Sequence, residues 1–413
     1  MRFLRTAPTG RLLATLAGAL VAIVAGTAIA VAATSGGPVP RSKPLASALH
    51  SALTARPVTG ISADITFTNN LISSVDFTGG NTDPILQGAT GRLWLSNDHQ
   101  LRLELQSSNG DAQIVVTKHS YWVSDPSSQT VYEGTLPADA SSSTSQPSQA
   151  GDAVPTIAQI QSRLTKLMGK VNVAGAPTSN PTDVGGRPAY SVSISPKHDG
   201  GLLGSAQLAW DAVTGVPLNI AVYARGNSTP VLALKASNVT YGPVPASDFA
   251  LTPPSGYKVV TVSRPATPSA ATKALRHSRA KHAAVSGVAA VGAHLPFSLV
   301  APARVVGLPR GGTQLLDWGG KPAALVTYGQ GLGGIAVIEQ SAGGSASSSS
   351  SSSSSSTDGK LSLPTVSING ATGSELDTAL GTVVRFTRGA VSYTVLGSVA
   401  PYAADQAARA LAP

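Results

Sequence analysis

The residues that most resemble a chemical motif are a glycine cluster, Gly329-Gln330-Gly331-Leu332-Gly333-Gly334, with the G-x-G-x-x-G spacing of dinucleotide-binding loops. In such a loop the glycines let the backbone approach a pyrophosphate, and the N-terminus of a following helix holds its charge. Here the residues that follow, from Ile335 to Glu339, have the pattern of another strand. Because no helix N-terminus follows, the sequence favours a hairpin turn over a dinucleotide site.

The remaining candidates for catalysis or metal binding are dispersed along the chain. None of the seven histidines has the spacing H-E-x-x-H, and no G-x-S-x-G nucleophile elbow occurs. Asp211 lies within a predicted hairpin, but no second carboxylate or histidine is recognisably paired with it. Ahead of Thr214-Gly215, an aspartate is expected to cap its own turn. The sequence therefore predicts no catalytic residue, no metal site and no cofactor, and the chain is predicted not to be an enzyme.

Charge and cysteine content exclude further classes of protein. Cysteine is absent, which excludes a disulfide framework and thiol chemistry. The formal net charge is +9, but most of the excess lies in two segments, residues 2–11 and residues 264–281, without interleaved aromatic residues. This distribution argues against nucleic-acid binding and favours contact with anionic lipid.

The N-terminal 34 residues are predicted to be an export signal or a membrane anchor. Three arginines precede an uncharged run from Leu12 to Ala33 that is long enough to span a bilayer, and they place the N-terminus in the cytoplasm. Ala30-Val31-Ala32 also fits a small-residue cleavage site, so secretion and retention both stay open. Either outcome predicts an extracytoplasmic location for the rest of the chain.

Short alternating runs indicate that the chain is built around antiparallel sheet. The clearest is a hairpin from Gln207 to Tyr223, and amphipathic helices are predicted over 44–55 and 155–170. A first domain is predicted over 44–260, a basic Ala/Ser/Pro linker over 261–291 and a smaller C-terminal domain over 292–413. A serine-rich insertion near 343–359 cannot pack in a core. The predicted fold class is α+β: a curved antiparallel sheet covered by helices, plus a smaller α+β domain.

A curved sheet beneath two helices can leave a space wider than side chains fill, suitable for an acyl chain. The candidate lining comes from the second helix and from the strands around the focal hairpin: Leu164, Leu167, Val192, Ile194, Leu208, Trp210, Leu218 and Ile220. A register slip of one residue would exchange this set for its neighbours. The alternative role for these side chains, and for the aromatic residues on the same strands, is an ordinary core.

The order of elements resembles the LolA-like superfamily of exported lipid and lipoprotein carriers. The family hairpin W-x-x-x-x-T-G-x-P-L is matched by Trp210, Thr214, Gly215, Pro217 and Leu218, and the closing F-x-x-T/P-P by residues 249–254. The resemblance implies an unclosed β half-barrel covered by helices, with an apolar cavity and no catalytic residue. The second domain, around 383–397 and the terminal helix, is similar to that of MucB/RseB-type regulators.

Two functions remain open at this point. The first is binding of a lipid or a lipoprotein acyl chain, as a carrier or an envelope sensor. The second, implied by the MucB/RseB resemblance, is a regulator that binds the extracytoplasmic part of an anti-sigma factor.

Overall fold

The computed structural model describes residues 38–72, 88–98, 100–106, 111–136, 156–174, 176–198, 200–262, 285–318, 321–342 and 363–411. These residues form two antiparallel sheets and four α-helices. The helices are α1 (Leu45–Thr54), α2 (Ile157–Met168), α3 (Val288–Gly292) and α4 (Pro401–Leu411). The predicted leader and the serine run lie outside the described residues.

The first sheet contains thirteen strands in the order β13-β6-β5-β4-β3-β2-β1-β12-β11-β10-β9-β7, with β8 also paired to β9. Its strands are β1 (Gly60–Asn69), β2 (Ala89–Ser96), β3 (Leu101–Gln106), β4 (Ala112–Val116), β5 (Ser120–Asp125), β6 (Thr130–Thr135), β7 (Val171–Ala174), β8 (Asn180–Val184), β9 (Arg187–Pro196), β10 (Leu203–Asp211), β11 (Pro217–Ala224), β12 (Pro230–Tyr241) and β13 (Lys258–Thr261).

This sheet is a curled antiparallel half-barrel, as predicted. Each strand pairs with antiparallel neighbours except β13, which runs parallel to β6 and closes one edge. Register shifts lie between Ser62 and Asp64 on β1 and between Ala209 and Trp210 on β10. Bulges of this kind bend a strand and increase its twist, so they promote the curvature of the sheet.

Helix α1 packs on the sheet where β9, β10 and β11 meet. Its buried residues, Leu45, Ala46 and Ala48, recur on one face at helical spacing. Helix α2 contacts α1 and β7 but buries Ile160 alone among its residues. The N-terminus of α2 is fixed by a capping box: the Thr156 hydroxyl accepts from the Gln159 N–H at 3.3 Å, and the Gln159 side chain accepts from the Thr156 N–H at 2.9 Å.

The second sheet contains eight strands in the order β14-β15-β16-β17-β21-β20-β19-β18. They are β14 (Arg304–Val305), β15 (Leu308–Trp318), β16 (Lys321–Tyr328), β17 (Ile335–Ser341), β18 (Thr365–Ile368), β19 (Ala371–Thr378), β20 (Gly381–Arg388) and β21 (Val391–Gly397). Helix α4 covers one face with Ala404, Ala407, Ala408 and Leu411, all of them buried against the strands.

The second folded unit begins earlier than the sequence predicts. Ser286 forms a β-bridge with Gln314, and Val291 of α3 is fully buried, although the predicted linker extends to Val291. The sequence pattern there is Ala- and Ser-rich and gives little periodicity. These residues are ordered by pairing with the edge of β15, which is a tertiary contact.

Backbone hydrogen bonds join the two sheets at two points. The Leu202 N–H, in the turn between β9 and β10, donates to the Ser398 carbonyl at 3.0 Å, and the Ala379 N–H donates to the Leu71 carbonyl at 2.8 Å. Ser398 follows β21, and Ala379 lies in the turn after β19. The two sheets therefore share a junction made by main-chain atoms.

Candidate functional site

Five of the eight predicted lining residues gather in one apolar cluster beneath α1. Val192, Leu208 and Trp210 form its buried centre together with Leu45, Ala48 and Tyr190, and Leu164 and Ile220 pack against it. Leu208 and Ile220 are directly paired across β10 and β11. The alternation along the hairpin therefore brings these side chains to a common face, as the sequence predicts.

The other three predicted residues lie elsewhere. Leu218 belongs to a separate cluster with Ile61, Ala209 and Val239, because the register shift between Ala209 and Trp210 takes Leu218 out of the regular alternation. Ile194 is half-buried and pairs with Val173 of β7. Leu167 of α2 is 37% exposed. That any of the eight binds lipid stays a prediction.

The cluster beneath α1 is closely packed. Leu208 is fully buried, Trp210 is 2% exposed, and Leu45 and Ala48 of α1 are equally inaccessible. Tyr190 and Trp210 contact each other with ring centroids 6.3 Å apart. Side chains of α1 occupy the space above β9–β11, so an acyl chain could lie there only if α1 moved.

Polar groups close the rim of this cluster at the start of α1. The Lys43 ammonium lies 4.8 Å from the Tyr190 ring centroid and donates to the Ser51 hydroxyl at 3.1 Å. Burial lowers the pKa of Lys43. The Tyr190 hydroxyl donates to the Arg41 carbonyl at 2.7 Å. These contacts hold the stem before α1 against the sheet.

Asp211 has the structural role that the sequence predicts. Its Oδ1 accepts from the Val213 N–H at 2.8 Å and the Thr214 N–H at 2.9 Å, and its Oδ2 accepts from the Tyr241 hydroxyl at 3.0 Å. Burial raises the pKa of Tyr241, and the negative charge of Asp211 adds to that effect. Three donors from the turn and from β12 thus satisfy most of the acceptor capacity of this buried carboxylate.

The glycine cluster is a turn, as predicted. Residues 329–334 connect β16 to β17, which pair antiparallel from Tyr328 and Ile335 onward. Gly329 and Gly331 have φ values of 74° and 64°, in the left-handed region that favours glycine. No group of three metal-ligating side chains occurs among the residues described. Within the same ranges, no helix has the length and apolar character needed to cross a bilayer.

A cavity of about 330 Å³ lies at the junction of the two sheets, and sequence analysis did not predict it. Its lining residues come from the segment after β1, from the segment before β18, from β19 and from the start of α4: Ile72, Leu363, Pro364, Glu375, Leu376, Asp377 and Pro401. Two carboxylates thus face a cavity with mostly apolar walls. Residues so far apart in sequence carry no shared local pattern that could have indicated the site.

The strand edge beside this cavity has a defined geometry. β18 pairs only with the first half of β19, from Ala371 to Ser374. Beyond it, the Glu375 N–H donates to the Pro364 carbonyl at 2.9 Å, and the Ala379 N–H donates to the Leu71 carbonyl. Because outward-facing amides alternate along a strand, the backbone of Asp377 points to this same side. The cavity therefore lies along the edge of β19.

Comparisons with known proteins return solved structures but no relative in sequence. No protein-family model matches the chain, and no curated protein matches it. The MucA/MucB complex of Pseudomonas aeruginosa is 16% identical, covers 88% of this chain and 95% of its own, and has a TM-score of 0.37. An uncharacterised conserved protein from Thermus thermophilus is 10% identical, covers 52% and 96%, and has a TM-score of 0.30.

A LolA superfamily protein from Nitrosomonas europaea is also similar, at 12% identity and a TM-score of 0.20. It covers 51% of this chain and 98% of its own. Both families that the sequence resembles are thus represented among these structures.

Proposed function

We propose that this chain is an exported, non-enzymatic binding protein that holds a segment of a partner protein at the junction of its two sheets. The observation that carries the proposal is the cavity at that junction, with walls supplied by both folded units. Binding sites occur preferentially where two domains meet. At about 330 Å³ the cavity is at the small end of the range for ligand pockets, which suits one or two side chains of a peptide.

The chemistry of the lining indicates which side chains it would take. Ile72, Leu363 and Leu376 supply apolar walls, while Glu375 is half-buried and Asp377 is exposed at the opening. Lysine and arginine have apolar stems and cationic ends, so either fits walls of this kind with carboxylates beside them. An extended segment would also lie along the edge of β19, where strand addition is a common mode of peptide recognition.

The class of partner follows from the sequence resemblance to MucB/RseB-type regulators. That resemblance implies the extracytoplasmic part of an anti-sigma factor as the partner. The predicted leader over 1–34 would place this chain on the same side of the membrane as such a segment.

Peptide binding tests this proposal directly. Overlapping fluorescent peptides that cover the extracytoplasmic segments of the anti-sigma factors of the producing organism would be titrated against the exported chain. We expect at least one basic peptide to bind, and Glu375→Gln with Asp377→Asn to weaken it about tenfold, as expected when a charge-assisted contact is lost. Asp317→Asn removes a carboxylate on β15, outside the cavity, and should leave the affinity unchanged.

Equal binding by the double variant and the wild type would remove the cavity from the proposal. Failure of every peptide to bind would refute the regulator function itself.

A lipid-binding function is the second candidate, and α2 is the feature that favours it. Ile157 and Leu167 are more than one-third exposed, and Leu164 is half-buried between them along one apolar stripe. A stripe of this kind, beside the closely packed cluster under α1, could contact an acyl chain if α1 and α2 moved apart. Burial of the chain would contribute about 25 cal/mol per Å².

Native mass spectrometry after purification from the producing cell tests this candidate. A co-purifying lipid supports it, and Leu164→Glu should abolish the lipid signal, because the substitution sets a charge against acyl methylenes. Leu53→Glu, at an exposed position of α1, is the matched control and should retain lipid. Absence of lipid from the wild type would count against this candidate.

A further inference from the structure

Glu339 is a carboxyl group fully buried in the core of the second sheet. It lies on β17, between Ala324 of β16 and Tyr393 of β21, and its exposure is 0%. The apolar cluster around it contains Tyr328, Val337 and Tyr393. An ionised carboxylate is expensive in such surroundings unless several donors satisfy it.

The hydrogen bonding of Glu339 is incomplete for an ionised carboxylate. Oε2 accepts from the Val300 N–H at 2.9 Å, and no described residue donates to Oε1. The Tyr328 hydroxyl is also buried and without a partner among the residues described. Ionised glutamate accepts up to four hydrogen bonds, whereas the neutral acid needs fewer acceptor contacts. The surroundings therefore favour the protonated form.

The hydrogen bond from the Val300 N–H to Glu339 ties down the segment that enters the second sheet. Leu299, Val300 and Ala301 lie across the apolar cluster between α3 and β14, partly buried. The outer side of this segment is held by Arg310: its N–H donates to the Ala303 carbonyl at 2.9 Å, and its guanidinium donates to the Ala301 carbonyl. Glu339 is the polar contact on the inner side.

We propose that Glu339 is a pH-responsive latch that holds the segment from Leu299 to Ala303 against the second sheet when its carboxyl is protonated and releases it on ionisation. Release would let water reach the carboxylate, which has one donor in the closed arrangement. The proposal does not depend on the function assigned above, because its residues do not line the cavity at the junction.

Titration of neighbouring groups does not account for a release of this segment near neutral pH. Tyr328 on β16 and Tyr393 on β21 are the titratable groups coupled to Glu339; burial raises the pKa of both, and the charge of Glu339 adds to this. Arg310 lowers the pKa of Tyr328, and Arg388 lowers that of Tyr393, so each opposes the effect of burial. Helix α4 contributes Ala404, Ala407, Ala408 and Leu411 to the cluster.

The direction of the pH dependence follows from linkage. Burial raises the pKa of Glu339 from 4.5 to about 7, against the effect of the Val300 hydrogen bond. The closed state then binds the proton more tightly than the open state, in which the pKa is ordinary. Closure is therefore fully favoured below pH 4.5, weakens as the pH rises towards 7, and changes little above it.

Hydrogen exchange at two pH values tests the latch. After correction for intrinsic rates, exchange of the Val300 amide, which donates to Glu339, should rise ~70-fold between about pH 5 and about pH 8.5, from the two pKa values. Glu339→Gln keeps an acceptor for the Val300 N–H and removes the titration, so its exchange should be independent of pH. Glu133→Gln, on β6 of the first sheet, should keep the wild-type pH dependence.

A wild type whose segment exchanges equally at both pH values would refute the proposal, and so would the same pH dependence in wild type and Glu339→Gln. If Glu339→Gln does not fold, carboxyl ¹³C spectra of the wild type decide the matter. Glu339 is one of four glutamates in the sequence, with Glu104, Glu133 and Glu375. A Glu339 signal titrating near pH 7 supports the latch, and a Glu339 signal titrating near pH 4.5 would overturn it.

Discussion

Substitution of Gly201 by alanine should separate the two sheets, because the backbone of Gly201 lies directly against Ser398, which follows β21. Its φ is +59°, and an added Cβ would lie 2.1 Å from the carbonyl oxygen of Ser398 and 2.7 Å from its Cβ. The first of these atoms belongs to the main chain, so rotation of a side chain cannot relieve the overlap. The turn between β9 and β10 must move away from Ser398.

The expected loss of stability combines two effects. A non-glycine residue in the left-handed region costs about 1–2 kcal/mol. Displacement of the turn also breaks the hydrogen bond from the Leu202 N–H to the Ser398 carbonyl, 3.0 Å long, worth about 0.5–1.5 kcal/mol. Together Gly201→Ala should lower the free energy of unfolding by about 2–3 kcal/mol.

Gly226→Ala is the matched control. Gly226 has a similar φ of +75°, but an added Cβ would meet no heavy atom within 4 Å. Gly226→Ala should therefore lower the free energy of unfolding only by the cost of the left-handed backbone conformation, about 1–2 kcal/mol. Urea unfolding followed by circular dichroism measures both losses, and small-angle scattering reports whether the two sheets have separated. Equal losses for the two variants, with unchanged scattering, would refute this account of the junction.

Two further predictions concern the first sheet. Leu208→Ala removes a fully buried side chain from the cluster beneath α1 and should lower the free energy of unfolding by about 2–5 kcal/mol. Leu53→Ala, at a position 47% exposed on α1, should change it by less than about 1 kcal/mol, and equal effects in a urea titration would contradict the packing described. Asp211→Ala leaves the Val213 and Thr214 amides and the Tyr241 hydroxyl without their acceptor and should lower the free energy of unfolding by about 2–4 kcal/mol. The Tyr241 pKa should also fall because a nearby negative charge is lost, and an unchanged tyrosine titration by ultraviolet absorbance would count against the contact.

Local patterns predicted the elements of the first sheet well. Helices α1 and α2 lie within two residues of the predicted bounds, and the hairpin of β10 and β11 contains the predicted run from Gln207 to Tyr223, with β10 beginning four residues earlier. Each depends on interactions between near neighbours: alternation about a turn capped by Asp211, apolar residues at helical spacing, or the capping box at Thr156. Such signals are contained in short runs of consecutive residues.

One strand of the second sheet, β15, was less predictable because it lacks that alternation. β15 contains Pro309, Gly311 and Gly312, which weaken a strand pattern, and its pairing with β16 and Ser286 is what orders it. Leu218 shows a related limit in the first sheet. Leu218 is two residues before Ile220 on β11, so regular alternation would place both side chains on the same face. The register shift opposite Trp210 instead takes Leu218 out of the cluster beneath α1.

Residue types and short spacings are sufficient to predict the class of fold and to show that no catalytic motif is recognisable. They also predict a shared face for Val192, Leu208, Trp210 and Ile220. Packing between distant segments, in contrast, places α1 over that face, buries Glu339 beside the Val300 N–H, and brings Ile72 into a cavity with Asp377 and Pro401. Those facts depend on contacts between residues tens to hundreds of positions apart. Burial and cavity shape arise from packing between distant segments, and a local sequence pattern contains no information about that packing.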